Sequence, residues 1–262
     1  MFDFITYGTE KFQLFMVVML RTSGLFLLAP ILGNKSVPKL VRVGMIVIFG
    51  MIMVVALGDV TLPQTGSLAE LLAIGFKELF VGLIIGFVFM LVFLAVQAAG
   101  SLVGYQIGLY LASAIDPTTQ SQSSIIGQFW LLIAMLIFLA INGHHLIIRA
   151  YADSFQMIPP GFVSVDGSVG EMMIKYTAYL FVIALKVASP VMVTLFLTDV
   201  ALGTVAKMMP TMNVFFVGFP IKIGVGLAVL AMALPIFSYV LEKAVHYLDG
   251  ELRLMFLAMG KA

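Results

Sequence analysis

The residues best suited to chemistry in this sequence are ionisable side chains that interrupt apolar runs. They are Arg21, Lys77, Glu78, Lys186, Asp199, Lys207 and Lys222. Such groups are costly in lipid and usually face a partner or a cavity, so they could form a proton relay or pair between helices. A relay would need a row of carboxylates within these runs, which the sequence does not contain. The pattern favours pairing, and we expect buried polar contacts at Arg21, Lys77, Glu78, Asp199 and Lys222.

Two adjacent histidines, His144 and His145, are the candidate metal ligands. A zinc site would need further His, Asp or Glu at helical spacing, as in His-Glu-x-x-His. The surrounding sequence does not supply that pattern, and adjacent side chains on a helix point in different directions. We interpret the pair as interfacial hydrogen-bonding residues, and we expect no metal and no cofactor. An intramembrane metal hydrolase built on the pair is the disfavoured alternative.

Motifs of other enzymes are also missing. The sequence has no nucleophile elbow, phosphate-binding loop or dinucleotide fingerprint. It has no cysteine, which excludes disulfides and thiolate chemistry. We therefore expect that the protein is not an enzyme.

Small residues recur every four positions in one segment. Gly100, Gly104, Gly108 and Ala112 share one face if the segment is helical. A smooth face of this kind lets another helix backbone approach closely. We expect helix packing at Gly100, Gly104 and Gly108.

A polar interruption follows these glycines. Asp116-Pro117 breaks the helix, and residues 117–124 include no apolar side chain. Polar, non-helical backbone is tolerated at membrane depth only when it is buried in protein or lines a water-filled cavity. A loop facing such a cavity and an ordinary surface loop are both compatible with this composition.

Composition places these residues on membrane helices. The chain has 262 residues, of which 62% are hydrophobic and 10% charged, whereas soluble domains are about half apolar and a quarter charged. Six apolar stretches are separated by proline and glycine, and they run over Phe12–Leu32, Val41–Leu57, Leu71–Val103, Ile125–Ile148, Met172–Leu197 and Val214–Leu241. The sequence predicts an all-α integral membrane protein with about six long, partly kinked helices.

The third stretch is too long for a single perpendicular crossing. As a helix, Leu71–Val103 would span roughly 50 Å, against about 30 Å for the hydrocarbon core of a bilayer. We expect it to be kinked, strongly tilted, or to project out of the bilayer.

Two parts are expected, residues 1–163 and residues 164–262. The break at Pro159-Pro160-Gly161 separates them, and the last two stretches form a hairpin joined at Asp199–Asn213. The net charge is +1 with no long basic run, so a nucleic-acid partner has no electrostatic support.

A series of motifs, in order along the chain, resembles the FliR family of the bacterial type III export gate. The motifs are Arg21 with Ala29-Pro30, Pro38, Lys77-Glu78 with Gly82 and Gly86, Gly100–Pro117, Phe138-Leu139, Asn142-Gly143-His144-His145, Ser189-Pro190, Asp199, Gly203, Pro210-x-Met212-Asn213-Val214-Phe215 and Gly218-Phe219-Pro220-Ile221-Lys222. They cover nearly the whole chain. Virulence-secretion counterparts share most of the pattern, so a virulence export gate is one alternative to a flagellar one.

The resemblance implies a FliP-like N-terminal part and a FliQ-like C-terminal helical hairpin. It implies a pore in the bacterial inner membrane, at the flagellar basal body, shared with FliP-like and FliQ-like subunits. FlhB-like and FlhA-like export proteins and unfolded export substrates are further expected partners. A secondary transporter is another alternative, but it would usually show two related halves, which these parts are not.

The resemblance also implies a loop that plugs the pore. By position this loop falls on about Gln106–Gln122. The implied plug residues are Gln106, Gly108, Leu111, Ala112, Ile115, Asp116, Pro117, Thr118, Thr119, Gln120 and Gln122.

Overall fold

The computed structural model describes residues 2–33, 37–58, 60, 62–63, 67–108, 124–211 and 213–260. All regular secondary structure in these residues is helical, which confirms the predicted all-α class. The helices are α1 (Phe2–Leu28), α2 (Lys39–Leu57), α3 (Leu68–Ile107), α4 (Ile125–Ala140), α5 (Gly143–Met157), α6 (Gly167–Met208) and α7 (Val214–Met259).

Within these residues, the number of membrane-crossing segments agrees with the prediction of about six. Helices α1, α2, α3, α6 and α7 are each long and apolar enough to cross a bilayer. The fourth predicted stretch is two helices, because α4 and α5 meet at a bend of 68°. Asn142 lies at the bend with a left-handed backbone, φ 58°, a conformation that asparagine tolerates better than most residues.

Helices α3, α6 and α7 extend well beyond the predicted stretches. They have 40, 42 and 46 residues, so each is roughly 60 Å long or more. The last two helices continue past Leu197 and Leu241, where the apolar stretches end, because a charged or polar residue does not terminate a helix that keeps its backbone hydrogen bonds. The predicted break at Pro210 is confirmed, since α6 ends at Met208 and α7 begins at Val214.

Local hydrogen bonds explain how α6 begins and why a proline does not stop it. The Asp166 carboxylate accepts hydrogen bonds from the hydroxyl and the N–H of Ser168 at 2.5 and 3.1 Å, and the hydroxyl bond lowers the pKa of Asp166. Pro190 has no N–H to donate to the carbonyl of Lys186. The hydroxyl of Ser189 donates to that carbonyl instead, at 3.1 Å.

The helices form two compact units, each built from separate pieces of chain. The first contains Met1–Leu91, Asn142–Thr177 and Val245–Ala262; the second contains Val92–Ile141 and Ala178–Ala244. The expected division at residues 163 and 164 rests on likeness to FliP and FliQ, so it stays a prediction.

The first unit is organised around a close parallel crossing of α1 and α3. A Cβ on Gly82 would overlap the carbonyl oxygen of Arg21, and one on Gly24 would overlap that of Leu79. One turn later, a Cβ on Gly86 would lie 2.9 Å from the backbone nitrogen of Ala29. The glycines therefore allow the two backbones to touch.

The core of the second unit is formed by aromatic and glycine contacts. The rings of Phe93 and Phe138 meet edge to face with centroids 5.2 Å apart. Trp130 stacks on Phe237 at 5.5 Å. A Cβ on Gly226 would lie 2.8 Å from the side chain of Ile107, so α7 also packs closely on α3 in this unit.

Replacing Gly82 by alanine is expected to separate α1 from α3, because the new methyl group meets backbone that cannot move aside. We expect a loss of several kcal/mol, as for overpacked core sites. The measurement is the temperature at which the detergent-extracted chain loses its monodisperse gel-filtration peak. Gly44→Ala on α2 is the matched control, since nothing lies within 4 Å of its added Cβ, and it should raise that temperature slightly. Equal effects of the two variants would contradict the crossing.

Candidate functional site

A fully buried ion pair lies at the centre of the first unit. The Arg21 Nε lies 2.6 Å from the Glu78 Oε2, and both side chains have no exposed surface. Arg21 comes from α1 and Glu78 from α3, one helical turn before the glycine crossing at Gly82. The two residues that sequence analysis placed in apolar runs therefore neutralise each other.

The remaining atoms of the pair bond to a distant stretch of chain. Arg21 Nη1 donates to the Ser154 hydroxyl at 3.1 Å, and Nη2 donates to the Ile158 carbonyl at 3.0 Å. The guanidinium also lies 4.1 Å from the centre of the Phe155 ring, a cation–π distance. A single arginine thus joins α1 to both α5 and the turn after it.

Glu78 holds the other side of that turn. Its Oε1 accepts a hydrogen bond from the N–H of Gly161 at 2.8 Å. Gly161 has φ +88°, and a Cβ there would lie 2.5 Å from the ring of Pro63. Only glycine fits this position on both counts. Beside the pair, Thr22 shares a short hydrogen bond with the hydroxyl of Tyr151.

This arrangement is suited to a structural role. Both carboxylate oxygens and three guanidinium nitrogens have partners, and a satisfied buried pair holds its helices in one geometry. Removing one member would leave an uncompensated buried charge. The pairing interpretation of Arg21 and Glu78 agrees with this geometry.

The side chain of Lys77 is exposed in this chain by itself, so its expected buried polar contact stays a prediction. Consecutive helical residues point about 100° apart, so turning Glu78 towards Arg21 carries Lys77 away from it.

A second close helix crossing in the second unit fixes the two ends of segment 109–123. A Cβ on Gly100 of α3 would lie 2.6 Å from the Cα of Gly127 on α4. Ser124 caps α4 by accepting from the N–H of Gly127 at 3.2 Å, and its hydroxyl donates to the Gly100 carbonyl at 3.4 Å. A Cβ on Gly104 would lie 2.5 Å from the Ser124 hydroxyl. Gly100 and Gly104 thus lie on the predicted packing face.

Gly108 has a different role from the other two glycines. It ends α3 with φ +93°, and its N–H donates to the Tyr105 carbonyl at 3.1 Å. This is the conformation that favours glycine after a helix. Ser124 contacts Gly104, which lies one turn before Gly108, so the described residues on either side of segment 109–123 lie near each other.

Gln106 ties the end of α3 to α6. Its Nε2 donates to the Met192 carbonyl at 3.0 Å, within the second unit. The other implied plug residues lie outside the described residues, namely Leu111, Ala112, Ile115, Asp116, Pro117, Thr118, Thr119, Gln120 and Gln122.

Asp199 and Lys222 form an ion pair between α6 and α7. The Lys222 Nζ lies 2.7 Å from the Asp199 Oδ1. The side chains are 22% and 44% exposed for Lys222 and Asp199 respectively, so the expectation that they are buried is not met by this chain alone. The pair fixes the register of α6 against α7 near the loop that joins them.

The rings of the two histidines contact each other at an interplanar angle of 50°. Their ring centroids are 4.2 Å apart. No group of three His, Asp or Glu residues in the described part of the chain is placed to hold a metal ion. The expected absence of a metal stays a prediction.

Several residues of these sites were not found from the sequence. These residues are Ser154, Phe155, Gly127 and Gly161. Of these, Gly161 follows two prolines, a pattern typical of a turn. Ser124 also has a sequence signal, because a serine directly before an apolar run is typical of a helix N-cap. Nothing local to Ser154 or Phe155 indicates that they meet Arg21.

Comparison with known proteins gives a family for this fold and these sites. The family described as "Bacterial export proteins, family 1" matches residues 12–248. The chain is 34% identical over 260 residues to the flagellar biosynthetic protein FliR of Bacillus subtilis strain 168, covering 96% of this chain and 97% of that protein. It is 29% identical to FliR of Escherichia coli K12 and 26% identical to FliR of Aquifex aeolicus, with 84% of each chain covered in both cases.

Replacing Glu78 by glutamine should destabilise the chain strongly, because the Arg21 guanidinium would stay buried without its counter-charge. We expect a loss of about 3–5 kcal/mol, measured as the yield and thermal stability of the detergent-extracted protein. The neighbouring Lys77→Gln is the control and should behave like the parent, since Lys77 is exposed. If yield and thermal stability decrease equally in both variants, the buried pair does not hold the unit together.

Reversing the charge at Lys222 should weaken the α6–α7 pair. Lys222→Asp places two carboxylates side by side, and adding Asp199→Lys should recover most of the lost thermal stability. The control is Lys207→Asp, which makes the same change of charge at an exposed residue of α6 near the loop that joins α6 to α7. A double variant no more stable than Lys222→Asp would show that the two residues do not interact.

Proposed function

Because this chain belongs to the bacterial export proteins of family 1, together with the FliR proteins, we propose that it forms, with FliP-like and FliQ-like subunits, the pore that passes unfolded flagellar proteins across the inner membrane. Family membership makes it a component of the flagellar export apparatus, in the bacterial inner membrane at the flagellar basal body. The proposal adds that segment 109–123 closes this pore when no substrate passes.

The anchoring of that segment is the observation that carries the proposal. Its ends lie at one close helix crossing, where Gly100 faces Gly127 and Ser124 bonds to the Gly100 carbonyl. A gate needs helices that stay in place and a segment that can block the pore and then move out of it. A crossing with direct backbone contacts supplies such helices, because these contacts hold α3 against α4 without any contribution from segment 109–123.

The composition of the segment suits a seal that must not bind the exported chain. Its later residues, 116–123, are Asp, Pro, Thr, Thr, Gln, Ser, Gln and Ser. An apolar filler would adhere to apolar stretches of an unfolded substrate. Small polar side chains can close a lumen by packing and hydrogen bonds and still release an unfolded chain.

The surfaces of the chain suit assembly with other helices. Large apolar side chains are exposed along α6 and α7, including Phe181, Phe196, Met232 and Ile236, each more than half exposed. These faces need lipid or partner helices. We propose FliP-like and FliQ-like subunits as the direct partners and FlhB-like and FlhA-like proteins as neighbours in the apparatus.

The chain acts in this proposal as a structural component of secretion and not as a catalyst. The buried Arg21–Glu78 pair has no exposed atom, so it cannot meet a substrate. Its contribution is to hold α1, α3 and α5 in a fixed arrangement while neighbouring parts of the pore move.

Deleting Leu111–Thr119 should leave assembly intact and make the pore leak. The six residues left in segment 109–123 can reach up to about 20 Å, which suffices for ends that lie near one helical turn apart. The measurements are co-purification with FliP-like and FliQ-like subunits, and entry of small ions and solutes into expressing cells. The control is Thr118→Ser with Thr119→Ser, which keeps the loop length and should stay tight. A deleted complex that assembles and remains tight would mean that the segment is not the seal.

A further inference from the structure

Five ionisable side chains form a cluster between α5 and α7 in the first unit. Arg149 and Asp153 belong to α5, and His246, Asp249 and Arg253 belong to α7. The Arg253 Nη2 lies 2.8 Å from the Asp153 Oδ2, whereas its Nε lies 3.8 Å from the Asp249 Oδ2. The guanidinium therefore bonds to Asp153 and only approaches Asp249.

Asp249 is the more buried of the two carboxylates. Its side chain is 14% exposed, against 24% for Asp153. Its Oδ1 is buried and accepts no hydrogen bond from the residues that the structure describes. Arg149 and His246 act on Asp249 electrostatically, but neither forms an ion pair with it. One oxygen of this carboxyl group is thus buried without a donor.

The cluster lies beyond the part of α7 that is suited to lipid. The apolar stretch Val214–Leu241 is roughly 42 Å long as a helix, which already exceeds the hydrocarbon thickness of about 30 Å. The three turns that follow carry Glu242, Lys243, His246, Asp249, Glu251 and Arg253. Hydrocarbon does not accommodate so many ionisable side chains, so a proton on the cluster can exchange with water.

The surroundings of Asp249 favour its protonated form. Burial disfavours the charged form of a carboxyl group, and Asp153 adds a second negative charge from the facing helix. The nearest positive charge does not compensate, because Arg253 is half exposed and bonds more closely to Asp153. A protonated carboxyl has no net charge and costs much less to bury.

The end of α7 lies against the turn that the buried ion pair of this unit holds. A Cβ on Gly260 would overlap the Met157 carbonyl oxygen, so the two backbones touch there. The Met259 carbonyl accepts a hydrogen bond from the N–H of Ser164 at 2.9 Å. The ion pair bonds to the chain between Met157 and Ser164. The charge at Asp249 therefore bears on a contact with the centre of the unit.

We propose that Asp249 is a proton-binding site that controls how tightly the end of α7 is held against α5. With the proton bound, the buried carboxyl is neutral and the two helices stay packed. When the proton passes to water, the carboxylate needs hydration, and α7 must move away from α5 to admit it. The proposal goes beyond the proposed function and does not depend on it, since every group involved belongs to this chain.

The pH dependence of thermal stability tests the site. The folded chain binds this proton more tightly than the unfolded chain, so the stabilisation is present below about pH 4, where an unfolded aspartate ionises, and is lost as the pH rises. We expect the detergent-extracted chain to lose its monodisperse gel-filtration peak at a lower temperature at pH 8 than at pH 5. Asp249→Asn, an uncharged isostere, should remove most of this difference and be the more stable protein at pH 8.

Hydrogen exchange shows where the effect acts. At pH 8 the amides of residues 250–259 should exchange about tenfold faster in the parent than in Asp249→Asn, the change expected when closed and open states differ by one unit in proton affinity. The comparison at one pH removes the intrinsic dependence of exchange on pH. Amides of α4, in the second unit, should exchange equally in both proteins.

Two control variants assign the titrating group. His246→Gln removes the histidine of the cluster, and the difference in stability between pH 5 and pH 8 should remain. Glu171→Gln neutralises an exposed carboxylate of α6, and the difference should remain there too.

Three results would overturn the proposal. The parent could be equally stable at pH 5 and pH 8, or Asp249→Asn could be less stable than the parent at pH 8, which would make the ionised carboxylate the stabilising form. The pH difference could also disappear in His246→Gln and persist in Asp249→Asn, which would assign it to the histidine. In each case the proposed function would stand.

Discussion

The ion pair between Arg21 and Glu78 is the interaction on which the first unit depends. A charge with no exposed surface is tolerated only with a counter-charge and hydrogen bonds to its remaining atoms, and here both conditions are met across α1, α3, α5 and the turn at Gly161. The pair is possible because Gly82 lets the α1 and α3 backbones touch one turn away. The ion pair and the close approach of the two backbones therefore depend on each other. The helices of this unit are therefore held together by contacts of their own and not only by lipid.

The second unit also contains a helix crossing at which glycines allow two backbones to touch. Gly100 and Gly127 bring α3 and α4 into backbone contact, and Ser124 both caps α4 and bonds to α3. These contacts hold α3 against α4 independently of segment 109–123. In the proposed pore this geometry has a use, because a pore wide enough for an unfolded chain must be closed to ions between substrates. The proposed gate is thus a rigid frame with a polar insert.

Several features were predictable because their cost in a membrane is high. Arg21 and Glu78 stood out as charges within apolar runs, and their pairing follows from that cost. Lys77 could not be separated from Glu78, because α3 is apolar around its whole circumference and its sequence gives no inward face. The contacts of Ser154 and Gly161 with the pair join segments far apart in sequence, which local patterns do not encode. Helices α6 and α7 are longer than the apolar stretches because a charge such as Asp199 does not end a helix whose backbone hydrogen bonds continue.

If segment 109–123 closes the proposed pore, it lies in the path of exported protein, and a single introduced thiol can detect it there. The chain contains no cysteine, so Thr118→Cys reports on that position alone. An unfolded flagellar substrate with one cysteine, stalled in the apparatus by a folded domain at its end, provides the second thiol. With a mild added oxidant to accept the two electrons and two protons, we expect a disulfide between Thr118→Cys and the stalled substrate, and none from Ile174→Cys on the exposed face of α6. Equal yields at both positions, or no disulfide from Thr118→Cys while the substrate is stalled, would contradict it.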